Sequence, residues 1–267
     1  MSEVNKNKEA YTSELEDKIV DLSLQLKSTT NKLKLVSASH KNTIGKLVHN
    51  LKNPVGVIFS FSDMILEDLE EYTTEKLQKH LQIINNSANF SIQLLGMVAK
   101  YSQLQSPDFV YTLKLTNYTE LITSVLNEFT DLASKKNCTI VTNIPSSAIN
   151  LNIDAAEISL AIRNIINNAL RYSNENSTIT ITVKEHEKTI ETTITDEGIG
   201  VSEENLPLVF NDFFVVNTYS DDKQKCIGLG LSVANIILIH HKGKISAESN
   251  LNEGSSFKVF LPKKELV

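Results

Sequence analysis

Several things are scarce in this chain, and each scarcity excludes a class of protein. There are two cysteines, Cys138 and Cys226, which allow neither a disulfide framework nor a thiolate metal cluster and suit a reducing cytoplasm. No apolar run approaches the roughly 18 residues of a membrane span. The opening segment, MSEVNKNKEA, lacks the apolar core of a signal peptide. A cytoplasmic location is expected unless the chain is cut from a longer receptor that carries a membrane segment. Positive charge is not in excess: the formal net charge is -6, against what a nucleic-acid surface needs. Neither proline nor glycine occurs before Gly45. What remains is a globular composition, 41% hydrophobic and 22% charged over 267 residues, enough for roughly two domains.

The first hundred residues read as helix. Leu15, Ile19, Leu22, Leu26, Thr29, Leu33, Val36, His40, Thr43 and Leu47 follow one another in steps of four and three, a heptad seam that predicts a coiled coil. The seam then shifts to Leu51, Val55, Ile58, Ser62, Ile65 and Leu69. A second helix carries Leu77, Leu81, Ile84, Ala88, Ser91, Leu95 and Val98 in register. Glu70–Thr74 reads as the turn between them. One antiparallel hairpin cannot cover its own stripe, so two chains are expected to pair into a four-helix bundle.

After Gln105-Ser106-Pro107 the pattern changes. Thr139–Ile144, Ser177–Val183 and Thr189–Thr195 are rich in β-branched residues with a period of two, and Lys244–Ala247 and Ser256–Leu261 read as further strands. Helical patterns cover about Tyr118–Ser134, Ala155–Tyr172 and Leu229–His241. The order predicts an α+β sandwich, a mixed sheet with helices on one face.

Within this half, Asp196-Glu197-Gly198-Ile199-Gly200 follows a strand. A carboxylate at a strand end can accept a hydrogen bond from an exocyclic amine such as that of adenine. The glycines are expected to let backbone approach a flat ligand. A plain strand-terminating turn is the ordinary alternative. Upstream, Asn164, Asn168 and Arg171 share a helical face. Asparagine is a poor helix-interior residue, and neutral oxygens for a hydrated Mg²⁺ give a reason for several; a solvated polar face is the other reading. Gly228-Leu229-Gly230-Leu231 opens a helix whose free N–H groups suit phosphates.

Taken in order, these segments resemble the catalytic and ATP-binding domain of histidine kinases, the Bergerat fold. Asn164–Tyr172 is similar to the N-box, Asp196–Gly200 to the first glycine box and Phe210–Phe214 to the phenylalanine box. Gly228–Leu231 is similar to the second glycine box and Gly254–Phe257 to the last. The resemblance implies that Asp196 contacts the adenine amine beside Gly198 and Gly200. It implies that Asn168 coordinates a Mg²⁺ bridging the phosphates, with Asn164 nearby, Arg171 as a counter-charge and Tyr172 near the adenine. Gly228, Leu229 and Gly230 would present backbone to the phosphates, with Phe213 and Ser255 from the neighbouring boxes. Residues 211–227 would be the ATP lid, with Lys223 and Lys225 as mobile cations. Cys226 stands where the family usually has a first glycine.

Of the six histidines, His40 lies on the coiled-coil seam, and His80, His186, His240 and His241 have no motif around them. His49 flanks the apolar stripe. A lone helical histidine is ordinarily a surface residue, but Pro54 frees the carbonyl of Asn50 within the same helix. Val48–Val55 resembles the H-box of a HisKA-type dimerisation and phosphotransfer domain. By that resemblance His49 is the phosphorylated histidine, Lys52 the basic position and Asn53 the polar position that suggests phosphatase ability. Asn50 stands where the family most often has an acidic residue, so the general-base position is a neutral amide.

The fold expected is therefore an all-α coiled coil and hairpin, a dimeric four-helix bundle, followed by an α/β sandwich. The domains expected are a coiled coil over 1–45, a dimerisation and phosphotransfer domain over 46–106 and an ATP-binding domain over 107–267. The function expected is ATP-dependent autophosphorylation of a histidine in a homodimer, followed by transfer to the aspartate of a response-regulator receiver domain. Two alternatives stay open: a dimeric phosphotransfer scaffold with a decayed ATP site, favoured by Asn50 and Cys226, and a Bergerat-fold serine kinase.

Overall fold

The computed structural model describes residues 18, 21, 24–28, 30, 44–216 and 226–263. Most of the coiled-coil seam, His40 and the lid residues Lys223 and Lys225 lie outside them. The chain divides into two compact units, Met1–Lys52 and Asn53–Val267. The described residues of the first unit are all helical, and Leu26 is exposed.

Helix α1 covers residues 44–67 and runs through Pro54. A short 3-10 turn, Leu69–Glu71, leads to α2, Thr74–Gln105. Thr73 caps α2 by accepting a hydrogen bond from the Lys76 N–H. The turn falls where the acidic stretch predicts it. His80 of α2 packs edge-on against Phe61 of α1, and its Nδ1 pairs with the Tyr72 hydroxyl at 2.8 Å. The predicted stripe of α2 is split. Of its residues Ser91 is buried while Leu81 and Leu95 are exposed; Leu94, Tyr101 and Leu104, which lie outside that stripe, are buried.

The rest of the second unit begins with β1 (Lys114–Asn117), α3 (Tyr118–Asn127) and α4 (Thr130–Lys135). The single helix expected over Tyr118–Ser134 is thus two. The chain breaks at Glu128 and Phe129, where Phe129 turns into the core and Glu128 pairs with Arg163 through two hydrogen bonds of 2.6 and 2.7 Å. Next come β2 (Thr139–Asn143), β3 (Asn150–Ile153), α5 (Ala155–Tyr172), β4 (Thr178–Glu185) and β5 (Thr189–Asp196). The chain closes with α6 (Gly230–His240), β6 (Lys244–Asn250) and β7 (Gly254–Pro262).

Five strands form one sheet in the order β2-β4-β5-β7-β6. Only β2–β4 is parallel, so the sheet is mixed as expected. β1 and β3 form a separate antiparallel pair that periodicity does not mark, each being four residues long. Inward positions alternate cleanly: Ile179, Ile181 and Val183 on β4, Ile190 and Ile194 on β5, Phe257, Val259 and Leu261 on β7. Against them lie Ile158, Ile162, Ile165 and Ile166 of α5 and Val233, Ile237 and Leu238 of α6. Burying such a side chain stabilises by about 1.5–3 kcal/mol. Tyr118 is fully buried among them, and its hydroxyl pairs with Thr192 at 2.6 Å, satisfying both polar atoms.

Candidate nucleotide cleft

The site is built at the open end of this sandwich, and α5 is its spine. Asp154 caps α5, accepting from the Ala156 and Glu157 N–H groups at 3.2 and 3.3 Å. Asp154 also accepts from the Thr112 N–H at 2.8 Å, and its own N–H donates to His241 Nε2 at 3.0 Å. The other ring nitrogen, Nδ1, lies 2.7 Å from the Ile237 carbonyl, which fixes the tautomer as Nδ1–H. Burial holds His241 below its ordinary pKa, so it stays neutral. At the far end Lys136 Nζ donates to the Leu170 and Arg171 carbonyls, both at 2.9 Å. Both termini of α5 are therefore pinned, and the residues between them have fixed positions.

Asp196 ends β5 opposite Ser255 of β7. It is only 3% exposed, and burial pushes its carboxyl up to about 6, with backbone N–H groups of Gly198 and Ser255 acting the other way. The Gly198 N–H reaches Oδ1 at 3.0 Å. The glycines around it are required first by the protein's own backbone. A Cβ on Gly198 would stand 2.1 Å from the Tyr172 carbonyl oxygen, and one on Gly200 (φ +65) 1.9 Å from that of Asn250. These glycines admit the protein's own backbone, and Gly200 also lines the smaller cavity. They staple the loop to the end of α5 and to the β6–β7 turn, as the hydrogen bonds Ile199 N–H to Tyr172 O and Asn252 N–H to Ile199 O also do.

Two cavities meet here. The smaller is lined by Asn168, Tyr172, Asp196, Gly200, Phe214, Leu231 and Ser255, among others. The larger, about 560 Å³, is lined by Asn164, Asn167, Asn168, Arg171, Gly228 and Gly230, and also by Lys100 of α2. Asn168 and Tyr172 border both. Among the described residues, Lys100 and Arg171 are the only charged ones in the larger lining, so the surface is cationic and amide-rich. The Asn164 Nδ2 is buried without a hydrogen-bond partner among the described residues. A buried donor left so costs about 1–3 kcal/mol, which an incoming acceptor would recover. At Gly230 a Cβ would make only ordinary contact with Asn164, so this glycine keeps the cleft open. Leu229 precedes α6 with no side-chain cap, leaving the first N–H groups of that helix available to an anion.

Cys226, at the position where a glycine is expected, is buried, and the Tyr172 hydroxyl donates to its Sγ at 3.2 Å. The departure is a packed contact at the base of the lid segment. Phe213 has a left-handed φ of 56 and lies outside both linings; its neighbour Phe214 borders both cavities. Gly198 and Leu229 also lie outside the linings and act through backbone geometry. Sequence reasoning missed Asn167, Met97 and Lys100, the last two because α2 carries only a packing signal.

His49 is exposed on α1, and Asn50 is half-buried. In the second unit Asn53 is exposed and Pro54 is buried. No group of three or more His, Cys, Asp or Glu suited to a metal occurs among the described residues, so a cation in the cleft would be held through amides.

Residues 153–265 match the family described as histidine kinase-, DNA gyrase B-, and HSP90-like ATPase. The sensor protein KdpD of Clostridium acetobutylicum is 30% identical over 224 residues, 83% of this chain and 24% of KdpD. The histidine protein kinase SaeS of Staphylococcus aureus is 26% identical over 264 residues, 98% of this chain and 74% of SaeS. The chain is similar to sensor histidine kinases along most of its length. Its sheet domain is a Bergerat ATPase, and ATP is the nucleotide such a domain uses. The fold agrees with the histidine kinase ThkA, solved in complex with the response regulator TrrA. The TM-score is 0.70 at 24% identity, over 84% of this chain and 61% of the ThkA chain. This chain spans less than a quarter of the length of KdpD. Among the described residues no helix is long and apolar enough to cross a membrane.

Proposed function

We propose that this chain is a cytoplasmic protein histidine kinase core that phosphorylates His49 from ATP and passes the phosphoryl group to an aspartate of a response-regulator receiver domain. The observation that carries the reading is the continuity of the cleft through Asn168. On one side lies a buried carboxylate suited to an adenine amine, and on the other a cationic, amide-lined chamber with an unpaired donor. Mg²⁺ fits the Asn168 amide oxygen, since this ion keeps several waters and needs few protein ligands. Asn164, Arg171 and the N–H groups at Gly228 and Gly230 would position the phosphates.

In the reaction a ring nitrogen of His49 forms a bond to the γ-phosphorus as the bond to the ADP oxygen breaks, and the ring proton leaves to solvent. Catalysis of such transfers rests on positioning and charge stabilisation. The exposed position of His49 on α1 suits an acceptor that must meet ATP and then a receiver domain. Asn53 would orient a water for hydrolysis of a phospho-aspartate.

The helical part is proposed to work as a homodimer. Val55, Phe59 and Leu66 form one exposed apolar stripe on α1, and Leu81, Ile92 and Leu95 another on α2. Such stripes call for a second copy in a four-helix bundle. Domains are assigned as a coiled coil over 1–45, a phosphotransfer domain over 46–106 and the ATP-binding domain over 107–267.

The test is incubation with γ-labelled ATP and Mg²⁺, wild type beside His49→Gln. Label is expected on the wild type only, stable in base and lost in acid. Wild-type labelling of the variant, or acid-stable label, would overturn the reading in favour of another acceptor such as serine.

A further inference from the structure

One wall of the larger chamber does not come from the ATPase domain. Gln93, Gly96, Met97 and Lys100 lie on one face of α2 and line the chamber together with residues of α5. Lys100 Nζ is 2.5 Å from Glu157 Oε1 in the first turn of α5 and lies 5.3 Å from the centre of the Phe109 ring. The pair is unequal. Glu157 is 8% exposed, and its second oxygen, Oε2, is buried with no hydrogen-bond partner among the described residues. The Lys100 side chain keeps 24% of its surface open, and it borders the chamber while Glu157 does not.

About two turns along the same face of α5 stands Asn164 with its unpaired Nδ2. An unpaired amide donor and a partly exposed ammonium therefore border one cationic chamber, and the ammonium's present partner is an incompletely satisfied carboxylate outside it. A lysine ammonium is a compact charge on a flexible stem, able to re-aim by several ångströms without moving its helix. A polyphosphate in the chamber carries more charge than one carboxylate, and it meets Lys100 where water is partly excluded.

Resting on the nucleotide reading above, we propose that Lys100 is a phosphate-binding residue contributed by the helical hairpin. In the free protein it pairs with Glu157, and it turns to the polyphosphate when nucleotide enters. Arg171 of α5 and Lys100 of α2 then both meet the phosphate chain, and nucleotide occupancy weakens the ion pair between α2 and α5. Lys100 adds affinity for the phosphates and none for the adenine, which Asp196 holds at the other end.

The proposal is tested on the full chain by displacing a fluorescent ATP analogue with Mg·ATP and with AMP. The ratio of the two affinities is the readout, because a merely structural ion pair would not move it. Lys100→Met is expected to lower the ATP-over-AMP ratio about tenfold, the scale of one charge-assisted contact. Glu157→Gln, which frees Lys100, is expected to raise it a few-fold. The double variant Lys100→Met/Glu157→Met removes both charges, so repulsion from a stranded carboxylate cannot mimic the effect; it should lower the ratio as Lys100→Met does. It also serves should the single variant fold poorly. An unchanged ratio in the double variant overturns the role of Lys100 while leaving the ATP cleft intact. Wild type that binds neither nucleotide overturns both.

Discussion

The two regions of the second unit solve the burial problem differently. In the ATPase domain Ile179, Ile194, Ile237 and Val259 are completely shielded by their own chain. In the hairpin Phe59 is 69% and Leu66 77% exposed. The same contrast holds for glycine. Around the nucleotide cleft Gly198, Gly200, Gly228 and Gly254 are demanded by backbone atoms of the protein itself. In the hairpin helices a Cβ added at Gly56 or Gly96 would meet nothing within 4 Å. One region is a finished object whose geometry is set internally. The other is a surface whose partners lie outside it, which suits a part that must meet a second copy and a receiver.

The largest expected effect breaks the first region and improves the second with the same substitution. Gly254 has φ +87, and a Cβ there would stand 1.9 Å from the Asp196 carbonyl oxygen. Gly254→Ala must displace the β5–β7 pairing at Asp196, the residue proposed to hold the adenine. A loss on the order of 4 kcal/mol is expected, enough to unfold much of the domain. Gly56→Ala lies mid-helix in open space and should stabilise by about 0.5–1 kcal/mol. Thermal denaturation of both variants checks the pair. Equal shifts of the same sign would show that the contrast between the regions is false.

Asp196 offers the next largest effect, and its sign follows from burial. The folded-state pKa, about 6, lies above the ordinary value of 3.8. Between those pH values the folded chain holds the proton more tightly, so stability falls as pH rises through that window. Above pH 6 the ionised carboxylate costs up to about 3 kcal/mol. Asp196→Asn is therefore expected to raise the unfolding midpoint at pH 7.5 and to change it little at pH 4. The same variant should bind ATP about tenfold or more weakly, because an amide has one acceptor oxygen, already engaged by backbone N–H groups, and presents NH₂ to the adenine amine. Gain of stability with loss of affinity is the expected signature; loss of both would mean that the carboxylate is structural.

How far these features are legible in the sequence differs by region for a physical reason. The span of α5 can be read to the residue because Ile158, Ile162, Ile165 and Ala169 keep strict periodicity between a capping Asp154 and Ser173. The strands β4, β5 and β7 are legible because one face is sealed and the other is not. β1 and β3, four residues each, are too short to show a period. The break between α3 and α4 is hidden because Phe129 fits a helical stripe as well as it fits a turn into the core. In the cleft, residue types that name their chemistry, Asp196 and the asparagines of α5, stand out. Those acting through shape are harder to read: Gly198 and Gly200 also serve backbone packing, and Lys100 on a packing helix becomes a cleft residue only once α2 is folded against α6 and its ammonium meets Glu157 of α5. The motif around Val48–Val55 is legible as a resemblance, but exposure and burial on α1 do not rank its residues by role.

The smallest effect concerns Asn50, and it probes the helical region on its own terms. The cleft supplies fixed charges and pinned donors, whereas beside His49 the neighbouring polar group is a neutral amide. A carboxylate hydrogen-bonded to one imidazole nitrogen stabilises the cation that forms as the other nitrogen attacks, and general-base assistance contributes roughly 10²–10⁴-fold in enclosed sites. His49 is exposed and Asn50 only half-buried, so water screens most of that gain. Asn50→Asp is therefore expected to raise the initial rate of His49 labelling by about tenfold or less at saturating ATP, without altering nucleotide affinity. Asn50→Ala should fall below wild type if the amide orients the ring. The order Asp, Asn, Ala in initial rate would place the remaining catalytic slack in the helical region. An Asp variant no faster than wild type, beside an unaffected Ala variant, would show that activation of the acceptor comes from the nucleotide side alone.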